Sequence, residues 1–200
     1  KLAAEGGQFF SWRFLTRGHA LMSHPYSLSA APTENHLRIT VKDLGDHSRS
    51  VAFLMPGTRV FVEGPYGAFT AGRATMKHIV LIGGGVGITP VRALLDEFKN
   101  GVQIDLIYRV SREEEVVLRE ELDFLQKNSG GTIRVHYLVG SRREHPMDAK
   151  SLEKLVPRIA DSDIYICGPG PLVETVKAAV ADLGVPKNRF HDEAFAFHSE

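Results

Sequence analysis

The stretch "HIVLIGGGVGITPVRALLDEFK", residues 78–99, carries the pattern that decides the fold. Residues 78–82 form a continuous apolar run, the mark of a strand covered on both faces of a sheet. A glycine-rich loop follows at 83–87. Then Val91, Leu94, Leu95 and Phe98 recur at helical spacing, with Thr89 as the expected N-cap and Pro90 at the first helical position. Strand, tight glycine turn and helix in that order open a parallel βαβ unit.

Downstream the alternation repeats. "VQIDLIYRV" (102–110), "IRVHYLV" (133–139), "DIYICG" (163–168) and "NRFHDEAF" (188–195) read as strands. Helices are expected over 113–127, 151–159 and 171–184, the first with its acids in the opening turn. Five strands and four helices with short connections predict a doubly wound parallel sheet.

Upstream the runs are short, at 8–14, 26–30, 37–42 and 59–62, and turn signals such as "AAPTEN" and "EGPYG" separate them. No ten-residue segment there has helical periodicity. The expected architecture is an antiparallel, Greek-key β-barrel over residues 1–72, followed by an α/β nucleotide-binding domain over 73–200.

Composition narrows the function classes. The chain has 200 residues, 43% hydrophobic and 24% charged, so it can build a real core. Lys+Arg and Asp+Glu balance at 24 each, which favours neither a nucleic acid nor an anionic membrane as partner. The nine histidines show no metal-ligand spacing. A single cysteine, Cys167, excludes a disulfide framework and a Cys-ligated zinc or iron–sulfur site within this chain. No apolar run approaches the roughly 20 residues of a membrane helix. A reducing, cytoplasmic setting is expected, for a chain that begins inside a strand-like run and reads as a piece of a longer protein.

In a doubly wound sheet the ligand lies beyond the carboxyl ends of the strands. There Gly83, Gly84, Gly85 and Gly87 let backbone approach a pyrophosphate at a helix N-terminus. The loop is neither GxGxxG nor a P-loop. At the end of the second strand an NAD site wants an acid for the ribose 2′-OH, and Asp105 lies too far back. Arg109, Ser111 and Arg112 stand there instead, a set suited to the 2′-phosphate of NADPH. "CGPGP" (167–171) brings Cys167, Gly168 and Pro169 to the same edge.

Taken in order, these segments resemble the ferredoxin–NADP reductase superfamily. "HPYSLSAAP" (24–32) is similar to its flavin motif RxYS/T, in the His-Pro form of ferric reductases and NADPH oxidases. "GQFFSWRF" (7–14) resembles the preceding barrel strand, "LGDHS" (44–48) the G-x-x-S/T segment and "VEGPYG" (62–67) the GPxG turn. "GGGVGITP" and "CGP" look like the two nicotinamide-nucleotide motifs, and "HDEAFAF" (191–197) like the C-terminal tail. The family barrel has more strands than the short N-terminal region supplies, so its first strand or two are expected to be missing.

The resemblance implies FAD and NADP as cofactors. Tyr26 would face the flavin ring and Ser27 its N5, with Pro25 shaping the turn before them. Thr40, Val41 and Lys42 would meet the ribityl chain and pyrophosphate, with Gly45 and Ser48 nearby. His24 replaces the arginine that usually neutralises the flavin phosphate, leaving part of that work to backbone, Arg38, Lys42 or Arg13. Thr89 would sit under the nicotinamide, and Cys167, Gly168 and Pro169 would border the hydride path. Glu193, Phe195 and Phe197 would close the site.

The implied activity is hydride transfer from NADPH to FAD, then single-electron transfer to an acceptor. That acceptor is the haem of an attached ferric reductase-like membrane domain, or, as an alternative, a redox protein served by a soluble ferredoxin reductase-like enzyme. A third reading, from another class, is a non-redox nucleotide-binding regulatory module.

Overall fold

The computed structural model describes residues 3–16, 21–98 and 101–195, with the side chain of residue 195 left aside. It contains two sheets. The first is antiparallel, in the order β2-β1-β3, built from β1 (Phe9–Phe14), β2 (His24–Ser27) and β3 (Val60–Tyr66). The second is parallel, in the order β6-β5-β4-β7-β8, built from β4 (His78–Gly84), β5 (Gln103–Val110), β6 (Ile133–Val139), β7 (Asp163–Pro169) and β8 (Phe190–Phe195). Helices α2 (Ile88–Glu97), α3 (Arg119–Asn128), α4 (Ala149–Leu155) and α5 (Gly170–Asp182) connect its strands.

The parallel sheet is the one the apolar runs predict, and β4 is buried along its whole length. Alternate residues feed two cores. Ile79, Leu81, Leu106, Tyr108 and Tyr165 face α2 and α3, while Val80, Ile82, Ile107, Ile164 and Ile166 face α4 and α5. Each fully buried Leu or Ile contributes about 1.5–3 kcal/mol. The order reverses at β4, so the switch point falls beside β7.

In the antiparallel sheet β1 alternates strictly, with Phe10, Trp12 and Phe14 inward and Ser11 and Arg13 outward. Those aromatics share a core with Leu28 and with Ala93 of α2, so the two sheets meet through apolar contact. An ion network reinforces the junction. Glu121 of α3 accepts from both terminal nitrogens of Arg38 at 3.0 and 3.1 Å and from Arg92 Nε at 2.6 Å. Asp96 of α2 holds Arg92 at 2.8 Å and accepts from the Ala31 amide at 3.1 Å.

Several local expectations change. Residues 37–42 are not a strand. Leu28 and Ile39 form one isolated bridge, and Pro32 ends the neighbouring segment before a longer ladder can form. A six-residue helix, α1 (Asp46–Val51), is too short for periodicity to reveal. β3 runs through the "EGPY" turn signal to Tyr66, which its edge position allows because Pro65 owes no ladder hydrogen bond. The helix expected from residue 113 starts at Arg119. Leu118 is left-handed, with φ of 61°, and Glu113–Glu115 form a separate 3₁₀ turn. Thr89 is not an N-cap either. Gly87 holds that place, because the 3₁₀ turn Gly85–Gly87 runs directly into α2, and the Thr89 hydroxyl donates to the Val86 carbonyl at 3.0 Å.

Candidate functional site

The flavin-type motif is ordered by its neighbours. In β2, Tyr26 pairs with Phe10 and Ser27 with Phe9, and the Trp12 indole donates to the Tyr26 carbonyl at 3.2 Å. Ser27 is buried and Tyr26 half-buried, and burial pushes the Tyr26 phenol up from its ordinary value. His24 stacks on Tyr26 with ring centres 6.3 Å apart and lies against His47 of α1 at 3.6 Å. The "HPYS" and "LGDHS" segments, separated in sequence, therefore adjoin. Gly45 precedes α1 at φ of 147°, and Ser48 holds the turn by accepting from the Leu44 amide and donating to the Gly45 carbonyl.

The three cations proposed to replace the missing arginine separate cleanly. Arg13 lies on the outward face of β1. Arg38 is committed to Glu121 and to the hydroxyl and carbonyl of Ser29. Lys42 alone reaches the cleft between the two sheets, 3.6 Å from Glu115 on the opposite wall.

On the nucleotide side the glycines have two different jobs. A Cβ on Gly87 would lie 2.0 Å from the Cys167 carbonyl oxygen, and one on Gly84 would lie 2.5 Å from Leu172. These positions let the β4 loop pack against the β7 loop; Gly168 meets Gly84 less tightly, at 3.1 Å, and Gly83 meets Ile88 at 3.0 Å. Gly85 differs: it is left-handed at φ of 56°, nothing lies within 4 Å of its absent Cβ, and it lines the cleft. Its open backbone is the part of the loop free to approach a phosphate.

Two adjoining cavities make the cleft. One, of about 390 Å³, is walled by Thr40, Val41 and Lys42 on one side and by Gly85, Val86 and Thr89 on the other. The second, of about 300 Å³, extends past Gly84 to Arg109, Ser111, Arg142 and Pro169. Arg109 is only 8% exposed; its guanidinium donates to the carbonyls of Val110 and Leu138, and burial together with nearby Arg142 lowers its pKa. No carboxylate pairs with it among the described residues. A buried cation bonded only to carbonyl groups, with Glu144 near it but not ion-paired, beside an open glycine loop suits an anionic ligand.

Across the carboxyl ends of the strands, Gly83 pairs with Cys167 and Cys167 with Glu193. Burial, with Glu193 nearby, raises the Cys167 thiol well above its ordinary range, so it stays neutral and unreactive. Burial pushes the Glu193 carboxyl up to about 7, and its Oε2 is buried with no hydrogen bond among the described residues. Pro169 ends β7 at the lip of the second cavity, the one of about 300 Å³. Phe197 and the Phe195 side chain lie outside the described residues.

Sequence reasoning missed Glu115, which lines both cavities and accepts from the Ser111 amide at 3.1 Å. Burial raises its pKa, but the bonds from Arg112 and Ser111 and the charge of Lys42 outweigh that and hold it low. Arg112 spends its guanidinium on Glu114 and Glu115, at 3.5 and 3.3 Å. Three consecutive acids directly after Arg112 are the available signal; they suit the first turn of a helix, but the left-handed Leu118 leaves them in a separate 3₁₀ turn.

The barrel-like antiparallel sheet, the five-stranded α/β sheet and the cleft between them define a ferredoxin–NADP reductase-like FAD/NAD-binding fold. Residues 81–178 match the family model of the oxidoreductase NAD-binding domain. NADH-cytochrome b5 reductase 1 of Pyricularia oryzae is 33% identical over 190 residues, which is 86% of this chain and 61% of that protein. The Meyerozyma guilliermondii protein of the same name is 31% identical over 176 residues, 80% of this chain and 62% of that one. The chain thus spans about three fifths of the length of these curated relatives. Among solved structures, the flavohem-like FAD/NAD-binding domain of nitric oxide dioxygenase from Vibrio cholerae superposes with a TM-score of 0.74 at 25% identity, covering 97% of this chain and 86% of that one. No helix of the described residues is long and apolar enough to cross a membrane.

Proposed function

We propose that this chain is the FAD- and nicotinamide-nucleotide-binding part of a flavin-dependent NAD(P)H oxidoreductase. One observation carries the reading: residues of the flavin-type segment 40–42 and of the nucleotide loop 85–89 wall a single cleft. FAD bound there supplies a hydride acceptor that passes electrons on singly. The chain's own residues bind, orient and exclude. Tyr26 offers a flat half-buried face, Lys42 a positive charge for phosphate, and Gly85 open backbone for the second pyrophosphate. Thr89 lines the cleft and Cys167 stays buried and neutral, so neither brings competing chemistry. Glu193 exchanges a proton near neutral pH.

For the donor, Arg109 and Arg112 alone point to NADPH. With Arg112 already engaged by two glutamates, we assign the 2′ position to Glu115, which suits a ribose hydroxyl and repels a 2′-phosphate. NADH is then the preferred donor. Glu115→Ala should shift the ratio of kcat/KM for NADPH over NADH toward NADPH by about tenfold, equivalent to ~1.4 kcal/mol. An unchanged ratio, with a changed one in Arg109→Ala or Arg112→Ala, would return the assignment to the arginines.

The acceptor in this reading is a protein-borne one-electron centre. The haem of an attached membrane domain satisfies the chemistry, as does a separate redox protein; the names of the two reductase relatives support the second.

Flavin retention tests the first half of the site. Tyr26→Ala should weaken FAD binding by about 1–3 kcal/mol, by analogy with base–aromatic stacking, measured by fluorescence titration of the flavin-free protein. Equal affinity in variant and parent removes Tyr26 from the flavin wall.

A further inference from the structure

The two walls of the cleft run, within a few residues, into one ion network. Thr40, Val41 and Lys42 form one wall, and Arg38 stands just ahead of them. Residues 37–42 form no strand; the isolated Leu28–Ile39 bridge and bonds from Arg38 and Thr40 to Ser29 attach them to their own sheet. Such a segment takes its position largely from what it meets across the junction. The opposite wall includes Thr89 at the start of α2. Arg92 follows three residues later, the spacing that keeps two helical side chains on neighbouring turns of one face.

Arg92 is the hub of the network. Its side chain is only 8% exposed and lies between two carboxylates, Glu121 of α3 at 2.6 Å and Asp96 of α2 at 2.8 Å. Each carboxylate also grips the segment on the far side of the junction. Glu121 accepts from both terminal nitrogens of Arg38, at 3.0 and 3.1 Å, and Asp96 accepts from the Ala31 amide at 3.1 Å. Ala31 and Arg38 bound the connection 32–37, so both of its ends are tied to α2 through one guanidinium. The apolar contact of Phe10, Trp12, Phe14 and Leu28 with Ala93 is non-directional. It holds the two halves together without fixing their angle. Paired bonds from a planar guanidinium to a carboxylate fix both angle and distance.

We propose that Glu121 is a positioning residue that sets the width of the cleft. By holding Arg38 and Arg92 to one carboxylate, it keeps the flavin wall and the nucleotide wall at a fixed separation. Glu121 lines neither cavity, so it acts on the reacting rings only through these two arginines. Its effect on hydride transfer rests on the proposed function; the clamp itself does not. Moving a hydride between two rings requires near-contact of donor and acceptor, and a misplacement of about 1 Å costs roughly a hundredfold in rate.

Glu121→Gln keeps the shape of the side chain and removes its charge and one acceptor oxygen. Cys167 is buried, so cysteines introduced at two exposed positions, Phe53→Cys and Lys177→Cys, take spin labels selectively. Pulsed electron paramagnetic resonance should then give a narrow distance distribution in the otherwise unchanged chain and a broader or shifted one with Glu121→Gln. Rapid mixing of FAD-loaded protein with saturating NADH should show flavin reduction slowed about tenfold, with FAD and NADH affinities within about twofold of the parent. Arg38→Gln should do the same, and the double variant should be no slower than either single one, because both break one contact. An unchanged distance distribution in both variants overturns the clamp. So does a rate that recovers at saturating NADH, or single effects that multiply in the double variant, since either marks a general weakening of the fold. A broadened distribution in a protein whose parent flavin NADH cannot reduce would leave the clamp standing and refute the oxidoreductase reading instead.

Discussion

Gly87→Ala should unfold or severely destabilise the nucleotide half, by about 3 kcal/mol or more. Its Cβ would stand 2.0 Å from the Cys167 oxygen, 2.4 Å from the Cys167 carbonyl carbon and 2.9 Å from the Gly168 nitrogen. All three are backbone atoms of a central strand, so none can swing aside as a side-chain tip would. Relief requires β7 to move away from the start of α2, which opens the core around Ile88 and Tyr165. Gly85→Ala is the matched control: with φ of 56° and open space around it, it should cost only about 1–2 kcal/mol of backbone strain. Denaturant titration of both variants checks the difference. A Gly87→Ala protein as stable as the parent would mean that the two loops do not touch as described.

The second large effect is expected from Asp105→Ala, at about 1–3 kcal/mol for each of the two buried ring N–H groups left without an acceptor. Asp105 accepts from His78 Nε2 at 2.9 Å and from His136 Nε2 at 2.7 Å, and His78 continues to Ser162 at 2.6 Å. Alanine leaves two histidines facing an empty site on β5, between β4 and β6. The same group gives the fold a pH dependence of definite sign. Burial raises the Asp105 pKa, but the bonds from His136 and His78 and the nearby charges outweigh it and depress it well below the ordinary 3.8. Its stabilisation is therefore complete above about pH 4 and is lost as pH falls further through the folded-state value. Melts from pH 6 downward should show the parent losing stability below about pH 4, and the variant losing less over that range.

These two sites differ in how far the sequence announces them. The glycine loop is legible because a continuous apolar run, a cluster of glycines and a helical period are all local. What each glycine does is not local: Gly87 answers to Cys167, eighty positions later, and only Gly85 is left for a ligand. The Asp105 cluster is less visible still. His78, Asp105 and His136 fall on one face of three different strands, and they meet only because β4, β5 and β6 are neighbours in register. Scattered histidines carry no such message in one dimension.

The same limit explains Arg38 and Glu115. Arg38 reads as a phosphate ligand until α3 brings Glu121 to it. Glu115 reads as a helix-dipole partner until the left-handed Leu118 separates the acids from α3. By contrast, the pairing of Tyr26 and Ser27 with Phe10 and Phe9 follows from two strand-like runs close in sequence, and of the flavin-type residues it is Thr40, Val41 and Lys42 that line the cleft.

In the proposed reaction, flavin and nicotinamide share the cleft between the two sheets in productive contact. Anaerobic mixing of the FAD-loaded chain with NADH, followed in the flavin's visible absorption band, tests it most directly. The expected result is complete bleaching of that band, with recovery on adding a one-electron acceptor. A protein that binds FAD and NADH, yet keeps its flavin oxidised, would contradict it.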